Sequence, residues 1–83
     1  MTVFVVTDKA QDGVSVFLYP EEALLKVTSK RDYTSGCFVT VWGAILTDAE
    51  ALRALQDKAD VYYIIGKQRL YTIVCRGVEG GGR

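Results

Sequence analysis

The sequence predicts one small α+β domain with the element order ββαβαββ, in which a five-stranded, mainly antiparallel sheet carries two helices. Three observations indicate this fold class: runs of β-branched and aromatic residues recur, glycine-containing turns separate neighbouring runs, and two segments have the pattern of short helices. A chain of 83 residues suffices for one hydrophobic core. We expect the domain to span residues 1–77, followed by a flexible glycine-rich tail at 78–83.

The chain begins with a predicted hairpin and a first helix. Thr2–Thr7 is rich in β-branched and aromatic residues and predicts a strand, and Val14–Tyr19 predicts a second one. An Asp-Gly dipeptide lies between them, so the two strands should pair in antiparallel orientation. Pro20 then begins a predicted helix that ends near Ser29, because proline is tolerated in the first turn and the helix dipole favours the acidic residues that follow.

The longest predicted strand is Cys37–Leu46, which follows a polar loop at 29–36. Its internal glycine, Gly43, indicates a β-bulge or the close approach of another backbone. Trp42, the only tryptophan, precedes this glycine. We expect Trp42 to lie in the core, although tryptophan is also enriched at binding hot spots and a bulge would reverse the faces of the residues after it.

The second helix has the clearest local pattern. Thr47-Asp-Ala-Glu50 matches a capping box, in which the first and last side chains bond each other's backbone amides. Leu52, Leu55 and Ala59 then form a core-facing stripe on a predicted helix of about 11 residues. The last two predicted strands form a hairpin, Val61–Ile65 and Leu70–Cys75.

The composition argues against catalysis. The chain has 10 basic and 10 acidic residues, no net charge and no histidine, so the commonest general base and metal ligand is missing. With two cysteines and no histidine, a four-ligand zinc site cannot be built from nitrogen and sulfur ligands alone. The acidic pairs Glu21/Glu22 and Asp48/Glu50 fall in first helical turns, where dipole and capping account for them. We therefore predict no enzymatic activity, no cofactor and no metal.

The same residues predict the compartment. Val3–Val6 is too short an apolar run for a signal peptide, and no later run reaches the length of a membrane span. Cys37 and Cys75 lie in strand-like runs, where cysteine behaves as a small hydrophobic residue. We expect a cytoplasmic protein with reduced cysteines and no membrane contact.

The strands carry more apolar surface than two helices can cover on one face. In the fourth predicted strand, Val61, Tyr63 and Ile65 oppose Tyr62 and Ile64, so both faces are apolar. Two alternatives remain: the helices lie on opposite faces, or tyrosine and threonine dominate the uncovered face. Since large exposed apolar patches mark interaction sites, we predict a module that binds a protein by occlusion or scaffolding, with a homodimer as the simplest case.

Single-domain proteins of this size without catalytic residues include the inhibitors that phages and mobile elements direct against host enzymes, and that class is compatible with the sequence. Nucleic-acid binding is the alternative, because basic and aromatic residues alternate in a loop and in the last hairpin. Zero net charge and the lack of an RNA-recognition motif argue against it. No stretch carries a family motif. The predicted partner-binding residues are Lys30, Arg31, Tyr33, Tyr62, Lys67, Arg69 and Tyr71.

Overall fold

The structure, a computed structural model, describes residues 1–9, 13–29 and 36–77, and it confirms the α+β class. The described residues contain six strands and two helices, in the order ββαββαββ. Their bounds are β1 Thr2–Asp8, β2 Gly13–Phe17, α1 Pro20–Thr28, β3 Cys37–Thr40, β4 Ile45–Leu46, α2 Asp48–Gln56, β5 Val61–Ile65 and β6 Gln68–Gly77.

The strands form one sheet in the order β2-β1-β6-β5-β3-β4, and every neighbouring pair is antiparallel. The first and last strands of the chain lie side by side near its centre, with a register that runs from Thr2 opposite Gly77 to Asp8 opposite Tyr71. The two predicted hairpins, β1–β2 and β5–β6, are both present. In this order β2 and β4 are the two edge strands, one at each end of the strand order.

The predicted strand at 37–46 is wrong, since it folds as the β3–β4 hairpin and raises the strand number from five to six. The Gly43 N–H donates to the Thr40 carbonyl at 2.9 Å, and the Thr40 N–H donates to the Ala44 carbonyl at the same distance. Gly43 has φ +89°, which a left-handed turn position requires and which glycine adopts without a steric penalty. A three-residue loop that ends in such a glycine is a common hairpin connection, in which the left-handed glycine itself forms a bulge, so the bulge lies in a turn and not within a continuous strand.

The second helix begins as predicted and ends earlier. The Glu50 N–H donates to Thr47 Oγ1 at 3.1 Å and the Thr47 N–H donates to Glu50 Oε1 at 2.9 Å, which completes the capping box. At the other end Lys58 adopts φ +65°, and the Ala59 N–H bonds the Ala54 carbonyl at 2.9 Å. This Schellman motif closes α2, so Ala59 lies beyond the helix that was expected to include it.

Both helices pack on the same face of the sheet. One continuous core unites residues of both helices with alternate residues of the strands: Phe4, Val6, Ala23, Leu24, Val27, Phe38, Ala51, Leu55, Val61, Tyr63, Tyr71 and Ile73. The alternative with helices on opposite faces is therefore wrong. Among the residues that the structure describes, neither helix covers the other face, which we call the helix-free face.

Candidate functional site

A single row of side chains crosses the whole helix-free face. Directly opposed residues of antiparallel strands share a face, so the register can be followed from one edge to the other. The row runs through all six strands as Val14, Thr7, Thr72, Tyr62, Val39 and Ile45.

Exposure along this row is highest at its two ends. Val14 is 66% exposed at the β2 edge and Ile45 is 74% exposed at the β4 edge. The central strands contribute Thr7, Thr72 and Tyr62, which are half-buried. This row therefore has hydroxyl-bearing residues in its middle and apolar residues at its ends, whereas the neighbouring row places Val5 and Val74 on the central strands of the same face.

Tyr62 and Arg69 are the two predicted partner-binding residues that the structure brings together. The guanidinium carbon of Arg69 lies 4.6 Å from the centre of the Tyr62 ring, a cation–π distance. Lys67 is exposed in the turn between β5 and β6. Tyr71 is only 8% exposed and its ring centre lies 5.9 Å from that of Tyr63, so it belongs to the core and not to a binding surface.

The loop cluster of Lys30, Arg31 and Tyr33 lies outside the described residues, as does the tail at 78–83.

The expectation that Trp42 lies in the core is wrong, because its side chain is 90% exposed in the β3–β4 loop. Two further apolar side chains, Val41 and Ile45, are exposed beside it in the chain. We call these three residues the hairpin tip. The sequence pattern does not predict this site, because the apolar run around Trp42 favours one long strand; the signal that points to a loop is the position of Trp42 directly before Gly43.

The backbone beneath Trp42 is held by a threonine side chain. Thr40 Oγ1 accepts from the Trp42 N–H at 3.2 Å and from the Ala44 N–H at 3.1 Å. Together with the backbone bonds of the loop, these contacts hold the closed turn whose backbone carries the exposed indole. An apolar side chain presented in this way loses little backbone freedom when it binds.

The described residues offer little for covalent or metal chemistry. They contain no group of three or more histidine, cysteine, aspartate or glutamate residues that could hold a metal ion. Cys75 Sγ lies 3.5 Å from the Ala59 carbonyl, and burial followed by the nearby Asp60 carboxylate raises the pKa of its thiol. A raised pKa disfavours the nucleophilic thiolate. Cys37 pairs with Ile64 on the helix-free face, whereas Cys75 packs against the core, so the two thiols cannot bond to each other.

Comparisons with protein-family models, curated proteins and solved structures found no match to this chain. In the described part of the chain no helix is long and apolar enough to cross a membrane. The candidate site therefore stands on its own geometry: an exposed tryptophan on a closed hairpin, next to a sheet face that carries a tyrosine–arginine pair.

Proposed function

We propose that this chain is a non-enzymatic protein-binding module that acts by occlusion or scaffolding, with the hairpin tip as its main contact. The exposure of Trp42 on a hydrogen-bonded turn is the observation that carries the proposal. Tryptophan, tyrosine and arginine are the residue types most enriched at binding hot spots. The hairpin tip and the Tyr62–Arg69 pair supply all three.

The contact extends from the hairpin tip onto the helix-free face. Ile45 opposes Val39, and Val39 opposes Tyr62, so Ile45 of the tip and Tyr62 of the pair belong to one row of neighbouring side chains. Val39, which lies between them, is 4% exposed and therefore contributes little surface of its own to a contact. A partner with an apolar pocket for the indole would bury Trp42 and meet Tyr62 and Arg69 at the rim of the contact, as interfaces with a dry centre and a polar border do.

The zero net charge indicates that long-range electrostatic attraction contributes little to partner binding. Ten basic and ten acidic residues give no net field to attract a polyanion or a strongly charged protein. The affinity would then come from desolvation of the indole and its neighbours. Occlusion of a functional surface on a cytoplasmic enzyme or complex, as phage-type inhibitors do, is the most direct use of such a contact.

The nucleic-acid alternative has less support from the geometry. A base would have to stack on an aromatic face, and one face of Tyr62 already contacts Arg69. Tyr71, the other aromatic residue expected in that role, is buried. We keep nucleic-acid binding as an outcome of the experiment.

The test compares the native chain with Trp42→Ala and with Tyr19→Ala, a matched control because Tyr19 is also an exposed aromatic residue but lies before α1. Each chain captures proteins from a native lysate, and the captured protein is then purified and titrated. We expect one partner to bind the native chain and Tyr19→Ala equally. Trp42→Ala should weaken that binding about 30-fold, which corresponds to about 2 kcal/mol for a hot-spot residue.

Thermal unfolding of the three chains controls for folding, and we expect Trp42→Ala to change stability by less than about 0.5 kcal/mol because its side chain is exposed. Equal binding by Trp42→Ala and the native chain would refute the hairpin tip as the contact. Recovery of nucleic acid alone, with binding that weakens as salt rises, would refute the protein-binding function.

A further inference from the structure

The outward edge of β2, which we call the β2 edge, is built unlike a protected edge strand. Proteins usually shield edge strands with charged residues, proline or short length. Gly13–Phe17 is five residues long and contains neither a charge nor a proline. Among the residues that the structure describes, only β1 pairs with it. The β2 edge is therefore a template for a further strand.

Apolar side chains flank the β2 edge on the helix-free face. Val14 and Val16 are 66% and 60% exposed, and both oppose residues of that face, Thr7 and Val5. A strand added beside β2 would place its own side chains against these two valines. Their burial would add hydrophobic stabilisation to the new backbone hydrogen bonds.

The helix-covered side of the same edge has a groove between β2 and α1. Its volume is about 450 Å³, and its lining includes Phe17, Leu25, Glu22 and Lys26. Leu25 is exposed although it is a large apolar residue. An added strand would thus meet apolar surface on both faces of β2, and any element that followed this strand could pack on Leu25.

The charges in this groove are self-complementary. Glu22 and Lys26 are one helical turn apart on α1 and lie on either side of Leu25 in the chain. If a second copy approached with its own α1 antiparallel, the Glu22 of each copy would face the Lys26 of the other. The net charge of zero adds no repulsion between copies, and the uncharged β2 edge brings no like charges together.

We infer that β2 pairs in antiparallel orientation with β2 of a second copy of this chain, so that the six-stranded sheet continues across a two-fold axis. The inference is independent of the proposed function, because the β2 edge lies on the opposite side of the sheet from the hairpin tip. It also adds to that function: at about 4.8 Å per strand, the two hairpin tips of the dimer would lie on the order of 50 Å apart. Such a dimer could bind two partners or one repeating partner.

The test compares two variants, each of which introduces one lysine at one of the two edges of the sheet. Val16→Lys puts a lysine on the β2 edge, whereas Ile45→Lys puts one on the same face at the opposite edge, at a residue that is also exposed. Mass is measured by light scattering and sedimentation from 1 to 200 μM (roughly the range of weak homodimers). We expect twice the 9.2 kDa chain mass for the native protein and for Ile45→Lys, and an at least 10-fold larger dissociation constant for Val16→Lys.

Amide hydrogen exchange gives a second readout that does not depend on mass. Residues 13–17 should exchange more slowly at high protein concentration in the native chain, and Val16→Lys should abolish that dependence. A native chain that stays monomeric at 200 μM (well above roughly micromolar dimer affinities) would refute the inference. A dimer that survives Val16→Lys and dissociates with Ile45→Lys would also refute it and would assign the interface to the hairpin tip. The first result would leave the partner test with Trp42→Ala unaffected, whereas the second would make another copy of this chain a partner of the hairpin tip.

Discussion

The two edge strands of the sheet differ in their length, in the side chains that they expose and in the element that adjoins each of them. At one edge β4 has only two residues, and the loop before it is closed by Thr40 and by the left-handed Gly43. At the other edge β2 has five uncharged residues and leads into a helix whose N-cap, Tyr19, makes no side-chain capping bond. The first edge offers little free backbone and presents a large exposed tryptophan, whereas the second offers a full strand of backbone flanked by the exposed Val14 and Val16.

This difference is the basis of the two modes of recognition that we propose for this domain. A short edge with an exposed tryptophan suits a side-chain contact, in which a pocket on another protein receives the indole. A long, uncharged edge suits strand addition, in which backbone hydrogen bonds align the partner. The separation of the two modes on opposite edges would allow self-association and partner binding to occur at the same time.

The largest expected effect tests how tightly the β3–β4 side is built. A Cβ at Gly36 would meet the Ile64 carbonyl oxygen and would come within 2.9 Å of the Tyr63 ring. We expect Gly36→Ala to lower the free energy of unfolding by about 3 kcal/mol, since the backbone of β5 would have to shift. Urea unfolding followed by circular dichroism measures the change.

Gly13 at the start of β2 is the matched control, because a Cβ there would meet nothing within 4 Å. We expect Gly13→Ala to be neutral or to stabilise by up to about 0.5 kcal/mol through the lower entropy of the unfolded chain. Equal losses from the two substitutions would contradict the picture of one tightly packed side and one open side.

An intermediate effect concerns the helices beside the two edges. Thr47→Ala removes the acceptor of the Glu50 N–H at the start of α2 and should cost about 1 kcal/mol. Tyr19→Ser should instead stabilise the chain by about 0.5 kcal/mol, because the extended Tyr19 backbone allows a serine to cap α1. Thermal unfolding gives both values, and a stabilising Thr47→Ala would show that the capping box contributes nothing here.

The smallest effect depends on pH and tests the contact between α2 and the central strand β6. Burial and the Asp60 carboxylate raise the pKa of Cys75, so the folded state keeps its thiol proton to a higher pH than the unfolded state. The resulting stabilisation is complete below the ordinary thiol pKa of about 8.5 and is lost as the pH rises through the raised pKa of Cys75.

We expect Cys75→Ala to reduce the alkaline loss of stability measured between about pH 8 and 10, which brackets the ordinary thiol pKa. Cys37→Ala is the control, since Cys37 lies on the helix-free face of β3. If Cys75→Ala and the native chain lose stability in parallel over this range, the assignment of the loss to Cys75 is wrong.

Parts of the fold and of the site could be predicted from neighbouring residues, and parts could not. The capping box at Thr47 was predictable because its two hydrogen bonds join residues three positions apart. The hairpin tip was not recognised, because Cys37–Leu46 is nearly all apolar and a continuous strand explains that pattern equally well. Only the bonds of Thr40 and Gly43 show that the chain reverses there and exposes Trp42.

The alternation of residues along a strand is enough to separate Tyr62 from Tyr63, and Val74 from Tyr71, onto opposite faces of the sheet. That partition is local, since it follows from the period of a strand. The choice of the buried face required the helices to pack, and they covered Tyr63 and Tyr71 while leaving Tyr62 beside Arg69. The choice of edges required strand pairing between residues as distant as Thr2 and Gly77, which placed β2 and β4 outermost. Long-range pairing and helix packing therefore created both candidate surfaces, because no short stretch of sequence records which strands have a neighbour on only one side.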